Sequence, residues 1–514
     1  MTGSLTQLAA VQQRHFDAAT CPQARKERGH FGTSSAIADF MATMCGDLPA
    51  ETVRVLDAGA GVGTLSAALC ERVLREGCPR RLEIELWEND ASLQDCLEST
   101  MSACRSALRA AGHELRYSIR TDDFILEHAQ PSLFRTAKKP AFDLLLMNPP
   151  YFKLRKDSAH ARVMDHVVHG QPNIYALFMA AAADLLLDRG KLVAITPRSY
   201  FNGPYFRRFR KWFFDRMTAR HIHVFESRQE AFREDEVLQE NVILMAEKGG
   251  AANEVQVTSS SGRDFESIER TLHPYDQVIE NATGDHVVRI ATGQVERDII
   301  AAIDRLPRRF RDLPFKISTG PVVTFRATEL LRDERANDTA PLLWMHNVRP
   351  FVTQFPHKKG KPGHIFVGKS SSKLLVPAKR YVLIKRFTAK EERRRLVAGI
   401  VEAEHSYAKM LGLENHLNYV DRIGGELTAE EARGLAALFN SAIVDCYFRS
   451  ISGNTQVNAT EIRAMPFPDL STLREIGTHV NRLAVMTSPE LDKIVGQAIG
   501  LPSPIIAQLD ESNR

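Results

Sequence analysis

The sequence predicts an α/β protein: a doubly wound, mainly parallel sheet within residues 1–250, followed by a mixed α+β domain over 251–514. Three observations lead there. At 514 residues the chain exceeds one ordinary core and calls for two domains. Between 53 and 250, strand-like apolar runs alternate with helical stretches, the pattern of a parallel sheet with helices on both faces. A glycine-rich turn, Asp57-Ala58-Gly59-Ala60-Gly61-Val62-Gly63, joins the first strand to the next helix. Such sheets hold ligands at the carboxyl ends of their strands.

The elements follow in order. Residues 1 to 30 read as a helical lead-in that ends in Arg25-Lys26-Glu27-Arg28. Phe31-Gly32-Thr33-Ser34-Ser35 is a turn, with Ser34 or Ser35 capping a helix over Ala36-Ile37-Ala38-Asp39-Phe40-Met41. Strands are expected at 53–56, 82–87, 115–120, 142–147, 191–196, 221–225 and 241–246, with helices at 65–76, 91–110 and 174–187. Lys248-Gly249-Gly250-Ala251-Ala252-Asn253 reads as a linker between the domains. Beyond it the periodicity weakens into short strands, charged loops and late helices.

Composition excludes several classes. Hydrophobic residues make up 44% and charged residues 25%, as in ordinary globular proteins. No apolar run reaches the length of a bilayer span, and the N-terminus lacks the pattern of a signal peptide. The 7 cysteines are odd in number and scattered, without a Cys-x-x-Cys, so neither a disulfide framework nor a zinc site is expected. A reducing, cytoplasmic location follows. The net charge of +4 conceals an asymmetry. Residues 301–400 hold 22 Lys and Arg against 8 Asp and Glu, a net +14, which leaves −10 for the rest. That split fits a polyanion-binding region beside a less basic catalytic region, although a solvated basic surface has the same composition.

The chemistry concentrates in two motifs. In the first, glycine lets the backbone approach a ligand closely, and Gly59, Gly61 and Gly63 alternate behind Asp57. The spacing differs from the Gly-x-Gly-x-x-Gly of dinucleotide sites and favours a methyl donor, S-adenosylmethionine. Glu88 follows the second strand, about 25 residues on, where a carboxylate can accept from both hydroxyls of a ribose. Asp123-Phe124 can accept from an adenine amino group and stack on its ring, or equally cap a helix and fill a core.

The second motif is Asn148-Pro149-Pro150-Tyr151, directly after the apolar run 142–147. An exocyclic amino group on a base is a poor nucleophile because its lone pair is delocalised. The side-chain oxygen of Asn148 and the backbone carbonyl of Pro149 can hold both N–H bonds and localise that lone pair. Pro150 stiffens the turn, and Tyr151 can stack on the base. Catalysis would be in-line positioning, with no covalent intermediate and no metal. The base must leave a duplex to reach such a clamp, and Phe232 is the candidate second aromatic. Cytosine-C5 chemistry, which needs a thiolate usually presented after proline, is disfavoured because the chain has no Pro-Cys.

With these elements in this order, the chain resembles the gamma group of N6-adenine DNA methyltransferases, the modification enzymes of type II restriction-modification systems. The resemblance implies a Rossmann-like class I methyltransferase domain over 1–250 and a DNA target-recognition domain over 251–514. It implies cofactor contacts from Phe31, Thr33, Asp57, Gly59, Gly61, Gly63, Glu88, Asp123, Phe124 and Asn148. Catalytic roles fall on Asn148, Pro149, Pro150 and Tyr151, with Tyr151 and Phe232 stacking on the target base. Asn173-Ile174-Tyr175-Ala176-Leu177-Phe178 resembles the helix after the catalytic motif. Thr33-Ser34 stands where that group often has Thr-Pro.

The second half resembles the PstI/BsuBI-type branch in 237–244, 318–323, 385–387, 414–419 and 452–460. There Lys358, Lys359, Lys361, Lys385 and Arg386 are expected at phosphates. Asn415, His416, Asn418, Gln456 and Asn458 are expected at base edges. The resemblance further implies double-stranded DNA as partner, the hexamer CTGCAG as target, a cognate restriction endonuclease and a monomeric enzyme. Three other methyl acceptors suit the same clamp: cytosine N4, an RNA base or a protein glutamine. A DNA-binding module that merely retains the fold is the non-enzymatic alternative.

Overall fold

The structure is a computed structural model. It describes residues 4–512 except 22, 24–28, 30–31, 129–139, 226–240, 261–264, 266, 282–283, 292, 357–359, 389–391, 393, 403–406, 453–455 and 482–486. The chain divides into two compact units, Met1–Thr292 and Gly293–Arg514.

Unit 1 is built on one sheet. Its strands among the described residues are β1 (Thr52–Ala58), β2 (Arg81–Trp87), β3 (Glu114–Arg120), β4 (Phe142–Met147), β5 (Leu186–Pro197), β6 (Met217–Phe225), β7 (Asn241–Lys248), β8 (Glu254–Ser260) and β9 (Glu269–Pro274). They lie in the order β3-β2-β1-β4-β5-β7-β6-β8-β9. β1 to β5 are parallel, and β7 runs antiparallel between β5 and β6. The order reverses beside β1, so the ends of β1 and β4 flank a crevice where a ligand can sit.

The side-chain alternation of β1 explains why helices cover both faces. Val53 and Val55 enter a core with helices α2 (Ser35–Met44), α3 (Thr64–Glu76) and α4 (Gln94–Ala110). Leu56 and Ala58 enter the opposite core with α7 (Ile174–Leu185). The lead-in helix α1 (Leu5–Ala19) packs on the α3 side through Leu5 and Ala9. Two short helices complete the site region, α5 (Phe124–His128) and α6 (Ala159–Val163). A further helix, α8 (Arg207–Phe214), packs Phe209 and Phe213 on the α7 side. Of the two candidate caps, Ser34 accepts from the Ile37 amide at 3.4 Å. All 7 cysteines are free thiols. Among the described residues no helix is long and apolar enough to cross a membrane.

Two boundaries differ from expectation. The division falls at 292/293, not 250, because the polar stretch 248–253 joins two strands of one sheet. β8 pairs parallel with β6, and Val255 and Val257 are buried. Polar residues disguise this strand. Thr258 and Ser260 receive the imidazoles of the half-buried His221 (2.8 Å) and the buried His223 (2.9 and 3.1 Å). The α7 helix ends at Leu185 rather than 187, because Leu186 already pairs with Phe142. Helical and strand burial are equally served by this continuous apolar run.

Unit 2 opens with α9 (Gln294–Asp304) and, among the described residues, holds two small sheets and a two-stranded pairing of Arg308–Arg309 with Pro466–Phe467. One comprises Phe315–Thr319, Leu417–Arg422, Tyr381–Lys385, Ala398–Val401, Phe351–Thr353 and Val348–Arg349, in spatial order. The other runs Leu331–Arg332, His364–Phe366, Thr339–Leu343, Met410–Leu413, Leu375–Pro377. Helices α10 (Ala429–Asn440), α11 (Ala442–Ile451), α12 (Ala459–Ala464), α13 (Leu470–Asn481), α14 (Ser488–Ala498) and α15 (Ser503–Ser512) follow. Helices α10 and α13 touch backbone to backbone. A Cβ on Gly434 or Gly477 would collide with the carbonyls of Leu473 and Glu430.

Candidate active site

A cavity of about 670 Å³ opens at the carboxyl ends of β1, β2 and β4 in unit 1. That volume lies within the range of roughly 300–1,000 Å³ usual for cofactor and small-molecule sites. Gly59 and Gly61 of the turn line it, with Glu88, Asp123, Phe124, Asn148 and Pro150. Gly61 has a φ of +56°, and a Cβ there would meet no atom within 4 Å. The turn thus bares its backbone to the ligand side.

Glu88 is 7% exposed and braces that turn. Its Oε2 accepts from the Gly61 amide and its Oε1 from the Asp90 amide, both at 2.9 Å. Asp57 does not line the cavity. It is fully buried beneath the turn, and its Oδ2 accepts from the Ser66 hydroxyl at 2.6 Å. Burial, opposed by Ser66 and aided by the charge of Glu88, pushes its carboxyl up to about 7. Gly63 lies against Leu97 at the start of α3 and serves packing rather than the cavity wall.

Part of the cavity wall is aromatic. Phe124 stacks on Phe178 (centroids 5.3 Å apart) and meets Trp87 edge-on (5.6 Å). All three line the cavity. Asp123 Oδ1 accepts from the Leu126 amide (2.9 Å), and Oδ2 lies 2.8 Å from His160 Nε2. Burial disfavours its charge, but the hydrogen bonds from His160 and the backbone outweigh this and hold its pKa below the usual carboxylate range.

The Asn148 turn has a fixed amide. Nδ2 donates to Thr33 Oγ1 at 2.9 Å, and Oδ1 accepts from the Tyr151 hydroxyl at 2.5 Å. The same hydroxyl lies 2.9 Å from the Ile195 carbonyl oxygen of β5. Burial pushes the Tyr151 phenol well above its ordinary pKa, so it remains a donor. Tyr151 is 5% exposed and edge-on to Tyr175, and Phe152 rather than Tyr151 lines the cavity. Pro149 is buried behind the turn. Phe31 and Phe232 lie outside the described residues.

Sequence reasoning missed His160, Trp87, Asp90 and Phe16, all on the cavity wall. Trp87 ends β2 immediately before Glu88 and was legible from that position. His160 comes from the short helix α6 and carries no motif.

In unit 2 four expected residues come together. Arg386 donates to the Asn415 carbonyl (3.0 Å) and to Gln456 Oε1 (3.2 Å), and Phe387 meets His416 edge-on at 4.7 Å. His416 Nδ1 lies 2.7 Å from Oε1 of the buried Glu414. Asn418 is fully buried, donating to the Val457 carbonyl (2.7 Å) and accepting from Thr319 (3.0 Å), so it organises the strand end. Asn458 caps α12 in a reciprocal box with Glu461. The Lys361 ammonium sits 4.5 Å from the Trp344 ring. Lys385 is half-buried, and burial together with Arg349 lowers its pKa. Lys358 and Lys359 lie outside the described residues.

Comparison with known proteins fits this geometry. Residues 88–232 match the model of the Eco57I restriction-modification methylase family. The chain is 35% identical over 461 residues to the type II methyltransferase M.BsuBI of Bacillus subtilis, covering 89% of this chain and 90% of that one. It is 34% identical over 482 residues to the type II methyltransferase M.PstI of Providencia stuartii, covering 93% and 94%. Among solved structures, the type IIL restriction-modification enzyme MmeI in complex with DNA shares the fold at 11% identity. Its TM-score is 0.54, over 93% of this chain and 75% of that one.

Proposed function

The chain belongs to the family of type II methyltransferases of restriction-modification systems, and from that premise we propose that it transfers the methyl group of S-adenosylmethionine to N6 of an adenine flipped out of duplex DNA. The observation that carries the reading is the Asn148 amide on the cavity wall, oriented by Thr33 with its oxygen towards Tyr151.

S-adenosylmethionine, when bound, supplies an electrophilic methyl group on sulfur. The chain's own residues fit that ligand. Glu88 presents a carboxylate for the ribose diol, and Asp123 with Phe124 presents an acceptor and a ring for the adenine. The bare backbone of Gly59 and Gly61 faces the rest. Asn148 Oδ1 and the Pro149 carbonyl hold the two N–H bonds of the target amino group, so its lone pair points in line at the methyl carbon. The bound cofactor would supply the methyl carbon to that nitrogen and keep the C–S bonding pair on sulfur. The extra proton then leaves nitrogen for solvent. Before the base arrives, the Tyr151 hydroxyl occupies Asn148 Oδ1. Entry of the base exchanges that bond for an N6–H donor and frees the ring to stack.

Unit 2 takes the target-recognition role. Lys361, Lys385 and Arg386 meet phosphates, and Asn415, His416 and Gln456 form the base-reading group, with Asn418 and Asn458 shaping its loops. The hexamer CTGCAG is the proposed site, protected from a cognate endonuclease, and the working species is a monomer in the cytoplasm. The test is transfer of labelled methyl groups to unmethylated duplex DNA, followed by digestion to nucleosides. N6-methyladenine is expected. Label in N4-methylcytosine, or in RNA or protein and not DNA, overturns the reading.

A further inference from the structure

We propose that His160 is a positioning residue for the cofactor's adenine, holding Asp123 in the orientation that presents an acceptor to the exocyclic amino group. This rests on the assignment of S-adenosylmethionine to the unit 1 cavity. His160 belongs to none of the motifs read from the sequence, and no strand of the sheet carries it.

The geometry is specific. Asp123 stands at the head of α5, and the Leu126 amide occupies one carboxylate oxygen at 2.9 Å. The backbone at Ile125 and Leu126 holds the carboxylate from the helix side. His160 Nε2, 2.8 Å from the other oxygen, holds it from the second side. Asp123 keeps a charge-favouring environment although it is half-buried, so Nε2 is the donor in this pair. A carboxylate has about four acceptor directions. The backbone and His160 take some of them, and Asp123 and His160 both line the cavity that would receive the amino group.

The loop that delivers His160 is itself anchored. Its neck is closed where Lys153 bridges to Asn173, the Leu154 amide donates to the Pro172 carbonyl (2.8 Å), and the Ile174 amide donates to the Phe152 carbonyl (3.0 Å). Ser158 caps the short helix that carries the imidazole. The loop begins at the residue after Tyr151. One segment therefore joins the catalytic turn to the adenine end of the cofactor site, and His160 is its contact there.

The experiment measures dissociation constants by calorimetry on the full chain for two ligands, S-adenosylhomocysteine and S-inosylhomocysteine. The second carries an oxo group in place of the amino donor. Wild type is expected to favour the adenine ligand. His160→Ala should weaken S-adenosylhomocysteine about tenfold, the scale of one hydrogen bond to a charged group, while the inosine ligand changes less than about twofold. His160→Gln, which can still donate to Asp123, should restore most of the preference. His160→Phe replaces the alanine variant if that one does not melt cooperatively. Equal weakening of both ligands, or an unchanged ratio, overturns the positioning role. A wild type that binds both ligands equally also overturns it, because Asp123 would then not read the amino group. A wild type that binds neither refutes the cofactor assignment itself.

Discussion

Glu88 offers the sharpest test of the cofactor cavity. Glu88→Gln keeps the shape of the side chain but turns one carboxylate oxygen into an NH2 group. In the structure both oxygens accept from backbone amides at 2.9 Å, Gly61 on one side and Asp90 on the other. Whichever way the amide flips, one backbone donor then faces another donor. Leaving a buried donor unsatisfied costs roughly 1–3 kcal/mol, and losing a hydrogen bond to a charged acceptor roughly 1.5–3 kcal/mol. The first cost falls on the ligand-free protein and should lower its denaturation midpoint. The second falls on binding, where one ribose hydroxyl loses its charged acceptor. Affinity for S-adenosylhomocysteine should drop about 10- to 150-fold, measured by calorimetric titration. An affinity within about twofold of wild type would refute the assignment of Glu88 to the ribose.

Other outcomes follow from the same structure. Asp57 has its pKa raised to about 7 from 3.8, so between about pH 4 and 7 the folded state holds a proton that the unfolded state has lost. Stability contributed by the protonated group is therefore lost as pH rises through that window. Asp57→Asn should flatten this component and gain stability relative to wild type above pH 7, read from denaturation midpoints across pH. Arg72 is 6% exposed and donates to the carbonyls of Ala42 and Gly46, both at 2.7 Å, and to Glu76 at 2.8 Å. Arg72→Met should cost on the order of 2–4 kcal/mol in urea unfolding, and a change under about 0.5 kcal/mol would contradict the count of bonds. Lys361→Gln should reduce the slope of log affinity for duplex DNA against log salt by about 0.9, the signature of one lost phosphate contact. An unchanged slope removes Lys361 from the interface.

What the sequence made legible has a physical pattern. β4 was readable because a buried parallel strand is a short apolar run, β1 and β2 because their apolar residues alternate with polar ones, and the turns behind them contain residues that few other contexts require. β8 was not readable. Its inward-facing hydroxyls pair with two histidines, and that satisfied polar contact looks like a loop in one dimension. Glu88 and Asn148 were identifiable because each ends a recognisable strand. Tyr151 was assigned to the catalytic motif through its ring, since no spacing reveals that its hydroxyl reaches Asn148 and Ile195. Asn418 sits among amides expected at base edges, yet its partners Val457 and Thr319 are distant in sequence and bury it. His160 and Asp123 are 37 residues apart and meet only through the fold.

The central claim is that Asn148 activates the target nitrogen, and single-turnover methyl transfer by Asn148→Ala tests it most directly. Wild type and variant are compared at saturating S-adenosylmethionine and unmethylated duplex DNA, with N6-methyladenine quantified. The account predicts a fall of about 10²-fold or more, the scale of removing one preorganised polar group at a reacting centre, with S-adenosylhomocysteine binding largely retained. N6-methyladenine formed by the variant at close to the wild-type rate would contradict it.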